Sequence, residues 1–167
     1  TLPRASTRST IFSGTSTGGL LALGMAAGLS PEVLRKLYQE SGVKVFADTT
    51  LDDMRDLGKL AGADDSLGPI KQARTEQFAS RRLDTLNRKV LISSFDLDNE
   101  DPETAHRTWK AKFFHNYPGS DSDGDQTIVD VALRTANAPT YFPIYQGCVD
   151  GGVVANNPAM CALAQAL

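Results

Sequence analysis

From Thr17 to Gly28 the chain is apolar nearly all round, with Leu20, Leu21, Leu23, Met25, Ala26 and Ala27 in one short run. A surface helix keeps a polar stripe, so this pattern predicts a buried helix, ended by Gly28. Ser30-Pro31-Glu32 opens a second helix with an N-cap, a proline at the first position and an acid in the first turn. Gly42 is expected to close it, and Val43 to Phe46 to form a strand. Residues 47–67 are acidic and glycine-dotted, which predicts loop with short helices, and residues 70–82 predict a helix. Lys89-Val90-Leu91-Ile92 is a short apolar run, the mark of a buried strand. From Arg107 to Tyr117 the residues alternate, with Trp109, Ala111, Phe113, His115 and Tyr117 on one face, a second strand packed on the core. Ile128, Val131, Ala132 and Ala136 recur at helical spacing within Thr127 to Asn137, before Pro139. Ile144 to Val149 predicts a strand, Asn157-Pro158 the start of a last helix, and Ile11-Phe12 the end of an early strand. Strands alternating with helices predict an α/β layer fold.

With 167 residues the chain can bury one core, and neither a repeat nor a linker divides it. The formal net charge of −3 argues against nucleic acid as a partner but is compatible with transient contact at a lipid surface. No run of about 18 apolar residues suggests a membrane span, and Thr1-Leu2-Pro3-Arg4 has no apolar leader core. The expected location is cytoplasmic, or peripheral at a membrane. Cys148 and Cys161 make neither a disulfide framework nor, with His106 and His115, a zinc pattern. They read as small buried hydrophobes, and no metal or cofactor is expected.

Chemistry enters with Gly14-Thr15-Ser16-Thr17-Gly18, which reads G-x-S-x-G. A serine between glycines can occupy a sharp strand-to-helix turn that pushes its hydroxyl outward. A Cβ at either flank, Gly14 or Gly18, is expected to collide with backbone. A serine hydroxyl needs a base within hydrogen-bond reach and donors for the oxyanion. A Ser-His-acid triad would have to use His106 or His115 with an earlier carboxylate such as Asp96. The alternative is a carboxylate acting directly. Asp150 is the candidate, at the end of an expected strand and followed by Gly151 and Gly152, which leave room for close approach. Without the serine motif, Asp150 would read as a turn aspartate before a Gly-Gly hairpin.

Three blocks in this order resemble the patatin-like phospholipases: Gly14-Thr15-Ser16-Thr17-Gly18-Gly19, then Ala132 through Pro143 with its Ala-Pro-x-x-Phe-Pro segment, then Asp150-Gly151-Gly152 with Asn156-Asn157-Pro158. The resemblance implies a three-layer α/β/α sandwich. It also implies a Ser16 nucleophile with Asp150 as general base, and lipid acyl hydrolysis through an acyl-serine, without metal or histidine. Family members carry a D-G-G-G-x-R loop ahead of the elbow that contributes to the oxyanion hole, whereas the first glycine here is Gly14. The expectation is one partial domain over 1–167, truncated at both ends, with the Thr17 N–H as the remaining oxyanion donor. A non-catalytic member of the fold is the alternative.

Weaker signals take ordinary explanations. Asp121-Ser122-Asp123-Gly124-Asp125 resembles the start of a calcium loop, but Gln126 and Ala132 stand where glycine and a bidentate glutamate are required. It reads as an acidic turn before a helix. Arg81-Arg82 and Arg88-Lys89 read as solvated pairs, His115 as structural, and Arg134 as a salt-bridge residue with phosphate binding as the alternative.

Overall fold

One long strand, β2 (Lys89–Glu100), organises the sheet, and its two edges are used differently. The computed structural model describes residues 10–47, 78, 80–100 and 107–167. β3 (Arg107–His115) runs antiparallel along one edge of β2, with Leu91 opposite His115 and Asp96 opposite Lys110, then an irregularity before Asn99. The other edge is shared by two short strands. β1 (Ile11–Thr15) lies parallel to β2, from Ile11 opposite Lys89 to Thr15 opposite Ser93. β4 (Cys148–Asp150) lies antiparallel, from Cys148 opposite Asp96 to Asp150 opposite Ser94. β1 and β4 therefore approach each other end to end, and their C-terminal ends meet at Ser93-Ser94.

Side chains alternate across this sheet as a strand requires. Phe12, Val90, Ile92 and Phe114 face a core closed by α1 (Thr17–Ala26) and α3 (Ile128–Thr135). Ile11, Leu91, Phe113 and Tyr117 face the opposite way, against Cys161 and Ala162 of α4 (Ala159–Ala166). Helices thus cover both faces, giving the α/β/α layering expected from the sequence. Each buried Leu, Ile or Val contributes about 1.5–3 kcal/mol, so the first cluster dominates the three-residue β4 ladder in holding the layers together.

Three helix ends follow the sequence signals. Gly28, at φ +81°, ends α1 in a Schellman motif: Gly28 N–H donates to Met25 O at 3.1 Å and Leu29 N–H to Gly24 O at 3.0 Å. Thr127 caps α3, its Oγ1 accepting from Asp130 N–H at 3.0 Å. Ser30 N-caps α2 (Pro31–Ala47), accepting from Val33 N–H at 3.4 Å.

The structure departs from the sequence reading in several places. α2 runs through Gly42 to Ala47, so the expected strand over Val43 to Phe46 is helix; one glycine costs a helix only about 1 kcal/mol. β2 extends well past Ile92, because pairing on both edges stabilises its polar half. The strand expected from Ile144 starts only at Cys148. Gln146 (φ +49°) and Gly147 (φ +74°) form a tight hairpin turn, and Tyr145 pairs back with Cys148. Trp109 is 73% exposed, so the alternating face of β3 is not packed on the core at this position. The loop expected over 47–67 and most of the helix expected over 70–82 lie outside the described residues; within the latter, Phe78 is helical and buried. Both cysteines are free, Cys148 buried and Cys161 half-buried, and burial pushes the Cys148 thiol up. Among the described residues, no helix is long and apolar enough to cross a membrane.

The elbow joins β1 to α1 at very short range. A Cβ on Gly14 would lie 2.3 Å from Gly18 O, a backbone atom that cannot swing away. At Gly18 the expected collision is absent: a Cβ there meets nothing within 4 Å. The close approach is asymmetric, made by the Gly14 α-carbon against the Gly18 carbonyl. Gly14→Ala is therefore expected to abolish folding or lower stability by about 3 kcal/mol or more. Gly18→Ala, in the first turn of α1, should stabilise by about 0.5–1 kcal/mol. Thermal melts of the two variants check this, and equal melting temperatures would contradict it.

Asn116 offers a second test. Its Oδ1 accepts from Val90 N–H at 2.9 Å, and its Nδ2 donates to Leu83 O and Arg88 O at 3.0 Å each. Asn116→Leu removes three hydrogen bonds to backbone, of which Leu83 O alone keeps a second partner, Leu86 N–H, and urea unfolding should show a loss of about 2–4 kcal/mol.

Candidate active site

Ser16 sits where β1 turns into α1, with φ +57° and ψ −130°. A non-glycine residue at positive φ costs about 1–3 kcal/mol, which the surrounding structure must offset. It does so with hydrogen bonds. Ser16 N–H donates to Thr135 Oγ1 at 2.9 Å, and Ser16 O accepts from Gly19 N–H at 2.9 Å and Leu20 N–H at 3.3 Å. The turn projects Ser16 Oγ toward β4, where it donates to Asp150 Oδ2 at 2.5 Å. These residues are 134 positions apart in sequence; the shared edge of β2 brings them together.

Asp150 is held from several sides. It is 6% exposed. Its N–H donates to Asn137 O at 2.9 Å, and its second carboxylate oxygen, Oδ1, accepts from Gly152 N–H at 2.7 Å as the chain enters a 3-10 turn at Gly151–Val153. Asp150 thus caps this turn, and no Gly-Gly hairpin forms. Gly151 is needed because a Cβ there would lie 2.3 Å from Ser93 O. One oxygen of Asp150 is fixed by backbone and the other faces the serine.

Beneath the pair lies a cluster of buried hydroxyls. Thr15 Oγ1 and Ser93 Oγ are 2.6 Å apart, and both reach Ala155 O, at 2.6 and 3.3 Å. Ser94 Oγ donates to Arg134 O at 3.0 Å or Val149 O at 3.1 Å. Sequence reasoning missed Thr15, Ser93, Ser94 and Thr135 as site-supporting residues. The only available signal was the Ser-Ser interruption of an otherwise apolar strand.

Thr17 opens α1, and the first N–H groups of a helix have no intrahelical acceptor. With Ser16 N–H committed to Thr135, Thr17 N–H is the next backbone donor along the elbow. The positive end of the α1 dipole adds to it.

Other candidates are engaged elsewhere. His115 is buried in β3, with Nε2 3.5 Å from Asp121 Oδ2 and its ring edge-on to Tyr117. Asp96 Oδ1 accepts from Asp98 N–H at 3.0 Å. His106 lies outside the described residues. Asp123 of the acidic turn bonds Lys112 Nζ at 2.5 Å and His115 N–H at 3.1 Å. Among the described residues, Arg134 donates to Gln126 and Gln146 and lies 5.2 Å over the Phe114 ring. Beside it, burial and the Asp130 carboxylate push the Tyr145 phenol up to about 12.

Comparison with known proteins gives the family. The family model described as patatin-like phospholipase matches residues 2–163. A cGAMP-activated phospholipase of Pseudomonas aeruginosa is 35% identical over 160 residues, covering 92% of this chain and 45% of that protein. Protein teg of Priestia megaterium is 30% identical over 166 residues, covering 99% and 49%. Patatin-like protein 2 of Oryza sativa is 29% identical over 182 residues, covering 93% and 42%. The chain spans about half the length of the curated relatives it matches. It belongs to the patatin-like phospholipase family.

Proposed function

We propose that this chain carries the Ser-Asp dyad of a lipid acyl hydrolase, with Ser16 as nucleophile and Asp150 as general base. The 2.5 Å contact between Ser16 Oγ and Asp150 Oδ2 is the observation that carries this reading. A carboxylate is a weak base for a serine proton. Short range and restricted solvent raise its effectiveness, because the proton moves within an existing hydrogen bond as the oxygen attacks. Gly152 N–H holds the other carboxylate oxygen, so Oδ2 stays aligned while it gains the proton.

The reaction is then ordinary acyl transfer. Ser16 Oγ attacks the ester carbonyl of a lipid and its proton passes to Asp150. The tetrahedral oxyanion forms at the N-terminus of α1, where Thr17 N–H donates. Collapse expels the alcohol, which takes the proton back from Asp150. A water repeats the sequence on the acyl-serine, releasing the fatty acid and restoring both residues. The lipid-ester substrate is supported by the family, whose described members include phospholipases.

In the full-length natural protein, Ser16→Ala and Asp150→Asn are each expected to lower hydrolysis of a phospholipid or short-chain lipid ester by about 10⁴-fold or more. His106→Ala and His115→Gln should leave it within about threefold, provided the melting temperature is kept. A fluorophosphonate should label Ser16 in the wild type and not in Asp150→Asn. Loss of activity on histidine removal alone would establish a Ser-His-Asp esterase instead. Absence of labelling in well-folded wild-type protein would establish a non-catalytic member of the family.

A further inference from the structure

Thr135 is the last residue of α3 and is fully buried. Its hydroxyl has one proton and donates it to Ser93 O at 2.7 Å. Its oxygen accepts the N–H of Ser16 at 2.9 Å. One side chain therefore ties the nucleophile's backbone to β2 at the position where β1 and β4 meet. Two residues further on, Asn137 O accepts the N–H of Asp150 at 2.9 Å. The end of α3 thus holds both halves of the Ser16–Asp150 pair, one through a side chain and the other through backbone.

The alternatives open to Ser16 show why this matters. Its φ of +57° is unfavourable, and the peptide preceding it would relax if released. Rotation of that peptide would swing Oγ away from Asp150 Oδ2 and turn the Thr17 N–H with it. Among the described residues, the hydrogen bond of Ser16 N–H goes to the Thr135 hydroxyl and to no backbone carbonyl, so the hydroxyl stands between Ser16 N–H and Ser93 O at the end of the β1 ladder. The Thr135 methyl is part of the same device: a Cβ on Gly19 would lie 2.9 Å from Thr135 Cγ2, so α1 sits directly on this side chain.

We propose that Thr135 is a positioning residue for the reaction: its hydroxyl, bridging Ser16 N–H and Ser93 O, sets the orientation of the nucleophile. This rests on the Ser-Asp reading above. Thr135 touches no reacting atom, so its removal should affect turnover more than substrate binding. A displacement of about 1 Å at a nucleophile can cost on the order of 100-fold in rate.

The test uses the full-length natural protein and three variants at this position, assayed on a lipid ester and by the rate of fluorophosphonate labelling. Thr135→Val keeps the shape and removes the bridge. It should lower kcat and the labelling rate by about 10- to 100-fold while KM stays within about twofold. Thr135→Ser keeps the hydroxyl and should recover most of the rate, even if the lost methyl lowers the melting temperature. Thr135→Ala differs from Thr135→Ser only by the hydroxyl, so this pair decides the matter if the valine variant does not fold. Equal turnover in the serine and alanine variants overturns the proposal, as does wild-type kcat in a folded Thr135→Val. Asp150→Asn is measured alongside. If it keeps full activity, the dyad reading fails, whereas the serine–alanine comparison still reports whether Thr135 orients Ser16.

Discussion

Two strands that share one edge of β2 constrain everything else in this molecule. A strand edge can bond only one neighbour at each position. β1 uses the edge as far as Ser93 and β4 uses it from Ser94, so the two chain ends are forced together with no residue of β2 between them. Because β1 is parallel to β2 and β4 antiparallel, both arrive C-terminus first. The elbow serine after β1 and the aspartate that ends β4 must therefore leave the sheet at the same place.

That crowding explains the composition of the site. Where two backbones end head-on, peptide groups lose their ladder partners in a region too buried for water to replace them. Short hydroxyl side chains take over: Thr15, Ser93, Ser94 and Thr135 bond Ala155 O, Arg134 O or Val149 O, Ser93 O and Ser16 N–H. Larger side chains cannot fit, and apolar ones would leave those groups unpaired, at about 1–3 kcal/mol each. Glycine appears where even a Cβ is excluded, at Gly14 against Gly18 O and at Gly151 against Ser93 O. The strained Ser16 is thus the outcome of a packing problem that its neighbours solve together.

How much of this could be read from the sequence depends on the range of the controlling interaction. The elbow, the Ser30-Pro31 and Thr127 helix starts and the Gly28 stop are local. Each is set by groups a few residues apart, and each was legible. The resemblance of three separated blocks also gave the α/β/α class and the pairing of Ser16 with Asp150. What local pattern could not convey was anything decided by a distant neighbour. β2 outruns its apolar run because strands on both edges hold its polar half, and β4 shrinks because Gln146-Gly147 reverses the chain. Trp109 alternates correctly yet stands exposed. Gly18 looked equivalent to Gly14 in the motif, but only one of the two glycines faces backbone. Thr135 carried no motif weight of its own, since its role depends on a serine 119 positions earlier.

The meeting of β1 and β4 also bears on biosynthesis. The serine emerges from the ribosome early and the aspartate late, since the chain is made from its N-terminus. Until β4 docks, Ser16 has no carboxylate beside it and the hydroxyl is inert at neutral pH. On the dyad reading, the nucleophile gains its base only when β4, late in the chain, docks on the edge of β2.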